Sequence, residues 1–198
     1  HLLKSLLTTD TILTDWLKDH GIHPGAVAVI SQTPLLDEMG RDLTRLARRR
    51  ELPEVIGREA EVRQLVEILL RQGKNSALLL GLPGVGKTAV VECLAQNIVA
   101  GSVPAKLAKM RLVELNVANL VAGTTYRGQL EERLQNLLRE VRQTDNVIVV
   151  IDEFHTLMGA GRTRDGGADA ANILKPALAR GELTCIGITT QDEYTRFI

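Results

Sequence analysis

Apolar residues recur along the chain at two spacings, and the change from one to the other divides it into parts. Leu2 to Leu7 and Asp10 to His20 carry the helical spacing; the second run has Thr9 or Asp10 as N-cap, Gly21 as its stop, and Leu13, Trp16 and Leu17 on one face. Ser31-Gln-Thr-Pro34 reads as linker, Arg41 to Arg50 as a further helix, and Pro53 as its break. We therefore expect a short α-helical segment over residues 1–30, a linker over 31–54 and an α/β domain over 55–198. In that domain Gly57 to Gln72 places Val62, Leu65, Val66, Leu69 and Leu70 on one helical face before Gly73. Four short apolar runs, Ser76 to Leu80, Arg111 to Asn116, Val147 to Ile151 and Thr184 to Thr189, are separated by helical runs such as Ala89 to Ala100. Strands alternating with helices predict a parallel sheet covered on both faces. Ligands bind such sheets at the carboxyl ends of the strands, where the loop after Leu80, Asp152-Glu153 and Thr189-Thr190 would meet.

The loop after Leu80 is Gly81-Leu82-Pro83-Gly84-Val85-Gly86-Lys87-Thr88, followed by Ala89 at the start of the helical run. Its glycines keep side chains out of the way, so backbone N–H groups and the helix N-terminus can converge on a phosphate. Lys87 is expected to reach the β- and γ-phosphates and the Thr88 hydroxyl to ligate Mg²⁺. A glycine turn alone would need no Lys-Thr. Asp152 and Glu153 follow five apolar residues, which suits a buried strand ending in carboxylates better than a helix N-cap beside a surface acid. Asp152 is placed to hold the Mg²⁺ shell, and Glu153 to orient and polarise an attacking water. The fold class expected is an α/β P-loop nucleoside triphosphatase, with a nucleoside triphosphate and Mg²⁺ as its ligands and hydrolysis as its reaction.

Composition adds exclusions. With 24 basic and 24 acidic residues among 198, the formal net charge is zero, so nothing points to a nucleic-acid or membrane field. Arg48-Arg49-Arg50 is the one basic run and reads as a solvated helix end. Cys93 and Cys185 match neither a metal spacing nor a disulfide framework and read as buried thiols of a reducing compartment. No apolar stretch is long enough for a membrane span, and His1, His20 and His23 form no ligand cluster.

Several separate blocks resemble one family. These are Leu52-Pro-Glu-Val-Ile-Gly57-Arg58-Glu59, the phosphate loop, Val121 to Leu134, Ile151 to Gly161, Asp169 to Glu182, and Gly187-Ile-Thr-Thr190-Gln-Asp-Glu-Tyr194. In this order, over about residues 33 to 198, they are similar to the Clp-type AAA+ ATPases, and more narrowly to the first AAA+ module of ClpB, ClpC, ClpA and ClpV. The resemblance implies ATP or ADP as the nucleotide, with Val55 and Ile56 against its adenine, although any apolar pair in an edge segment would read alike. It implies that Thr190 is the polar sensor of the γ-phosphate or the attacking water; by itself it is a strand-ending threonine. Tyr126, with Arg127 and Gly128, would stand on a loop lining the channel of a ring and grip an extended polypeptide, since an aromatic ring holds many backbones without side-chain specificity. Read alone, Tyr126 is a core tyrosine at a helix start. Thr125 stands where lysine is frequent in the family. Arg162 to Gly167 resembles a second channel loop, and His155 reads as support for the acids beside it rather than as a base.

The resemblance further implies a cytoplasmic, hexameric homo-oligomer acting on polypeptide substrates, with a protease or chaperone partner, no nucleic acid and no membrane. It implies that residues 1–30 are a remnant of a Clp N-terminal helical domain and that the arginine finger, a fifth strand beside the phosphate-loop strand and the helical lid would come after Ile198. The phosphate-loop strand is accordingly expected to have one open edge or to be covered by another molecule. Two other classes are compatible with the residues: a nucleotide-controlled scaffold or regulatory ring, and an AAA+ motor acting on nucleic acid, which zero net charge disfavours.

Overall fold

The computed structural model describes residues 31–122, 127–159 and 170–198. Three elements open the described chain: α1 (Pro34–Met39), β1 (Gly40–Asp42) and α2 (Leu43–Arg48). They are followed by α3 (Glu59–Leu69), β2 (Ala77–Leu80), α4 (Lys87–Ala100), β3 (Arg111–Leu115), α5 (Val117–Val121), α6 (Arg127–Thr144) and β4 (Val147–Ile151). Then come α7 (Phe154–Gly159), α8 (Ala170–Ala179), β5 (Cys185–Thr189) and α9 (Gln191–Phe197). The strands form one sheet in the order β1-β3-β4-β5-β2. The last four are parallel, with Arg111 opposite Val147, Val149 opposite Cys185 and Ala77 opposite Ile186. Such adjacent parallel strands require the helical crossovers that the alternating pattern predicts.

Strand periodicity splits the core in two. Val113, Leu115, Val147, Val149, Ile151 and Cys185 face one layer, where α1, α5, α6, α7 and α8 bring Leu36, Leu120, Leu137, Leu157 and Leu174. Leu112, Ile148, Val150, Ile186 and Ile188 face the other, against Leu43 of α2, Leu65 of α3 and Leu94 of α4. Helix α3 buries Val62, Leu65 and Leu69, the stripe expected from its sequence. Helix α4 begins at Lys87, two residues before the apolar run, and stops at Gly101, whose φ of 72° lets the chain reverse while its N–H and that of Ser102 satisfy the last carbonyls.

Residues 31–54, expected as a linker, are instead built into the sheet domain through Arg48. Helix α1 buries Leu36, α2 buries Leu43, and β1 pairs antiparallel with β3, Gly40 opposite Leu115 and Asp42 opposite Val113. The unit that contains them runs from Gln32 to Ile198. The sheet is therefore mixed, and the helix expected from Arg41 starts only at Leu43 because Asp42 caps it, accepting the Arg45 N–H at 2.8 Å. Arg111 holds the insertion together: its guanidinium donates to Asp37 at 2.6 Å, Asp42 at 3.1 Å and Thr33 at 3.0 Å. These partners are polar, so hydrophobic periodicity gives no sign of the strand.

At the other edge β2 has β5 as its one neighbour among the described residues, the open edge expected for the phosphate-loop strand. No described helix is long and apolar enough to cross a membrane. Cys185 is buried, and burial pushes its thiol up to about 12. Cys93, expected to be buried as well, is only half-buried on α4.

Candidate functional site

Three strand ends and one loop meet over a cleft of about 390 Å³. Pro83, Gly84, Gly86, Lys87 and Thr88 line it from the β2–α4 turn, Asp152 and Glu153 from the end of β4, and Ile188, Thr189, Thr190 and Glu193 from the end of β5 and from α9. The sheet order makes this convergence possible, because β4, β5 and β2 are consecutive neighbours and all run the same way. Ligand sites form where parallel strands end in this manner.

The loop is held by its own backbone. Gly84 and Gly86 have φ of 77° and 90°, a region that side chains with a Cβ adopt at a cost. A Cβ on Gly86 would also come within 3.1 Å of the Arg58 guanidinium, which donates to the Val85 carbonyl at 2.7 Å and to Glu61 at 3.0 Å. The Lys87 ammonium curls under the loop and donates to the Gly81 and Leu82 carbonyls, both at 2.9 Å. Two of its three N–H groups are thereby committed to the loop.

Opposite the loop, the Thr88 hydroxyl lies 3.5 Å from Asp152 Oδ2. Two neighbouring oxygens in an octahedral Mg²⁺ shell lie about 3 Å apart, so the pair needs little adjustment to share the ion. The charges agree with that fit. Asp152, Glu153 and Glu193 set three carboxylates against one ammonium in the same cleft, and a polyphosphate would be repelled unless a divalent cation came with it. Behind Asp152, burial raises the Glu114 carboxyl above its ordinary value; Arg41, 3.3 Å away, opposes the shift, and the Asp152 and Glu92 charges add to it.

Glu153 has φ of 49°, a left-handed conformation unusual for a residue with a Cβ. Local bonds fix it there. Asp152 Oδ1 accepts its N–H at 2.8 Å, and its carbonyl accepts from the Thr156 N–H at 2.7 Å and the Thr156 hydroxyl at 2.8 Å. The next residue, Phe154, is seated against Gly187 of β5, where a Cβ would come within 3.1 Å of the ring. Strain of this kind collects at functional sites, and here it turns the exposed Glu153 side chain into the cleft lining.

Not every expected residue joins the cleft. Ile56 is 83% exposed, and neither it nor Val55 is among the lining residues. Gly81, Leu82, Val85 and Ala89 shape the turn from outside the cleft. Tyr126 and the loop from Arg162 to Gly167 lie outside the described residues, while Arg127 and Gly128 open α6 with Gly128 exposed. His1, His20 and His23 are outside them too, and the described residues contain no group of His, Cys, Asp and Glu fit to hold a metal without help. Two residues were missed. Arg58 falls in a block quoted for the family resemblance but carries no pattern of its own. Glu193 had a readable signal, because Thr190-x-x-Glu193 is a capping box, and both of its reciprocal bonds form at the start of α9.

The comparisons with known proteins agree with this geometry. Residues 77–196 match AAA, the "ATPase family associated with various cellular activities". The chain belongs to that family of ATPases. The narrower likeness is to its Clp type. The chain is 53% identical over 174 residues to a homolog of the ATP-dependent Clp protease ATP-binding subunit ClpA from Cyanidium caldarium, covering 88% of this chain and 20% of that one. It is 51% identical over 168 residues to the negative regulator of genetic competence ClpC/MecB from Bacillus subtilis, covering 85% and 21%. Among solved structures, the S. cerevisiae Hsp104–ADP complex superimposes with a TM-score of 0.73 at 44% identity, over 81% of this chain and 27% of that one. The chain thus spans about a fifth of the length of the curated relatives it matches.

Proposed function

We propose that this cleft binds and hydrolyses ATP, and that the chain is the nucleotide-handling part of a ring-forming Clp-type chaperone. The observation that carries the reading is the meeting of Lys87, Thr88, Asp152, Glu153 and Thr190 on one cleft from three parallel strand ends. The turn from Gly84 to Lys87 presents its N–H groups at the start of α4, and Lys87 exchanges a loop carbonyl for a β- or γ-phosphate oxygen. Thr88 and Asp152 hold Mg²⁺, which when bound neutralises charge on the phosphate oxygens. Glu153 accepts the proton of the attacking water as its oxygen bonds to the γ-phosphorus and the bond to the β-phosphate oxygen breaks. Thr190 donates to the γ-phosphate or to that water. Val55 and Ile56 lie on the adenine side, and exposed Ile56 supplies apolar surface for a base to cover.

In the parent protein we assign six copies to a ring, with an arginine from one subunit completing the site of the next. Tyr126, Arg127 and Gly128 would grip an extended polypeptide in the channel, so that hydrolysis unfolds or disaggregates it. A protease or chaperone is the partner, and the compartment is the cytoplasm. A solved structure of Hsp104 with ATPγS and FITC casein, 44% identical to this chain with a TM-score of 0.73, supports a protein substrate. The test measures ATP turnover per chain against protein concentration, with ATP binding followed in parallel and Glu153→Gln as blank. The variant is expected to bind ATP as the parent does and to lose turnover by about 100-fold or more. Turnover at the parental rate in Glu153→Gln would overturn the assignment.

A further inference from the structure

Glu193 lines the cleft from α9, and four polar contacts converge on one of its oxygens. Oε2 accepts from the Thr190 hydroxyl at 2.8 Å, the Thr190 N–H at 3.3 Å and the Thr189 hydroxyl at 3.3 Å. His155 Nδ1 is 3.1 Å from the same oxygen and 3.0 Å from the Thr189 hydroxyl. A separate bond runs the other way at the helix start, where the Glu193 N–H donates to the Thr190 hydroxyl at 3.3 Å and closes the capping box.

Proton counting assigns the bonds. Each threonine hydroxyl has one proton to give, and a carboxylate oxygen gives none. If both threonines donate to Glu193, His155 must carry its proton on Nδ1 and share it between Thr189 and Glu193. The histidine is thereby drawn to the sensor strand although it belongs to α7, one residue past the Glu153-Phe154 corner. Its ring also stacks on Phe197 of α9, with centroids 5.9 Å apart. One carboxylate therefore ties three parts together: the end of β5, the start of α9, and the helix that follows the proposed water-activating acid.

We propose that Glu193 is a positioning residue for ATP hydrolysis, holding the Thr189 and Thr190 hydroxyls and the His155 ring in one arc so that the sensor hydroxyl and Glu153 keep a fixed relation across the cleft. The inference rests on the reading of the cleft as hydrolytic. The Thr190 proton sits on Glu193 at 2.8 Å, so a γ-phosphate oxygen must compete for it. Position and availability of the sensor are thus set by the same carboxylate. The side-chain and backbone bonds to Thr190, with Thr189 helping, outweigh burial and hold that carboxyl below its ordinary value, so it stays ionised at neutral pH.

Glutamine at position 193 separates this role from helix capping, because glutamine also closes a capping box but brings an amide donor in place of one acceptor oxygen. The experiment compares the parent with Glu193→Gln and Glu193→Ala in thermal unfolding, ATP affinity, turnover, and the ring ¹⁵N shifts of His155. Glu193→Gln is expected to keep the parental Tm and to bind ATP within about twofold, while turning it over about tenfold more slowly. His155 is expected to move its proton from Nδ1 to Nε2. Glu193→Ala should show the same kinetic loss with a lowered Tm. Parental turnover in Glu193→Gln overturns the proposal, as does an unchanged His155 tautomer. If the parent itself binds ATP without turnover, the hydrolytic reading fails separately, and the tautomer alone decides whether the carboxylate organises the arc.

Discussion

The two sides of the sheet hold polar networks of opposite design. On the β1 side, Arg111 gives separate N–H groups to Asp37, Asp42 and Thr33, and Asp42 spends its other oxygen on Thr44 at 2.6 Å and the Arg45 N–H at 2.8 Å. One cation is spread over three partner residues. On the β5 side, several donors crowd one oxygen of Glu193, and Lys87 rests on carbonyls of the very loop it is expected to leave. Dispersed pairing makes a fixed joint. Crowded pairing makes one whose partners can be exchanged for a phosphate, which is what a site that binds, reacts and releases requires.

The largest expected effect tests the fixed side. Arg111→Ala leaves Asp37 and Asp42 without their cation and should cost about 3 kcal/mol in denaturant unfolding, with ATP affinity of the folded fraction unchanged. A loss of affinity as large as the loss of stability would show that the two sides are not separable. Asp42→Asn keeps the shape and the cap but removes the charge, and should cost about 2 kcal/mol at pH 7. Burial raises the Asp42 carboxyl, but the bonds from Thr44, Arg45 and Arg111 outweigh it and leave it below its ordinary value of 3.8. Its contribution is therefore fully present above pH 3.8 and is lost as pH falls through the lower folded value. The gap between parent and Asp42→Asn should shrink in that acid range; a gap independent of pH from 7 to 3 would contradict the charge pairing.

The smallest effect tests the exchangeable side and has the opposite sign. Glu153→Gly removes a side chain held at a φ of 49°, so it should relieve about 1 kcal/mol of backbone strain while abolishing turnover. A variant less stable than the parent would mean that the bonds from Asp152 and Thr156 outweigh the strain they impose.

Much of the cleft was legible because its chemistry demands particular residues in order. Gly-x-x-Gly-x-Gly-Lys-Thr after an apolar run has few other uses, and Asp152-Glu153 closes the most apolar strand in the chain. What was not legible was set by pairing across the chain. Strand β1 is three residues, Gly40-Arg41-Asp42, whose place depends on Arg111 some seventy positions away. The Glu153 backbone likewise depends on Phe154 meeting a glycine in the next strand. Glu193 lay between these cases: its capping box was local and could have been read, but the His155 that makes it more than a cap comes from another helix.

The sheet also acts as a partition. Ile148 and Val149 are consecutive in the chain yet belong to different cores, as do Leu112 and Val113. Volume lost at Ile148 can be refilled from α2, α3 or α4 but not by Val149, whose side chain opens on the other chamber. Substitutions that accumulate over time in this domain should therefore compensate one another within a chamber, and neighbours in sequence along β3 and β4 should drift as strangers.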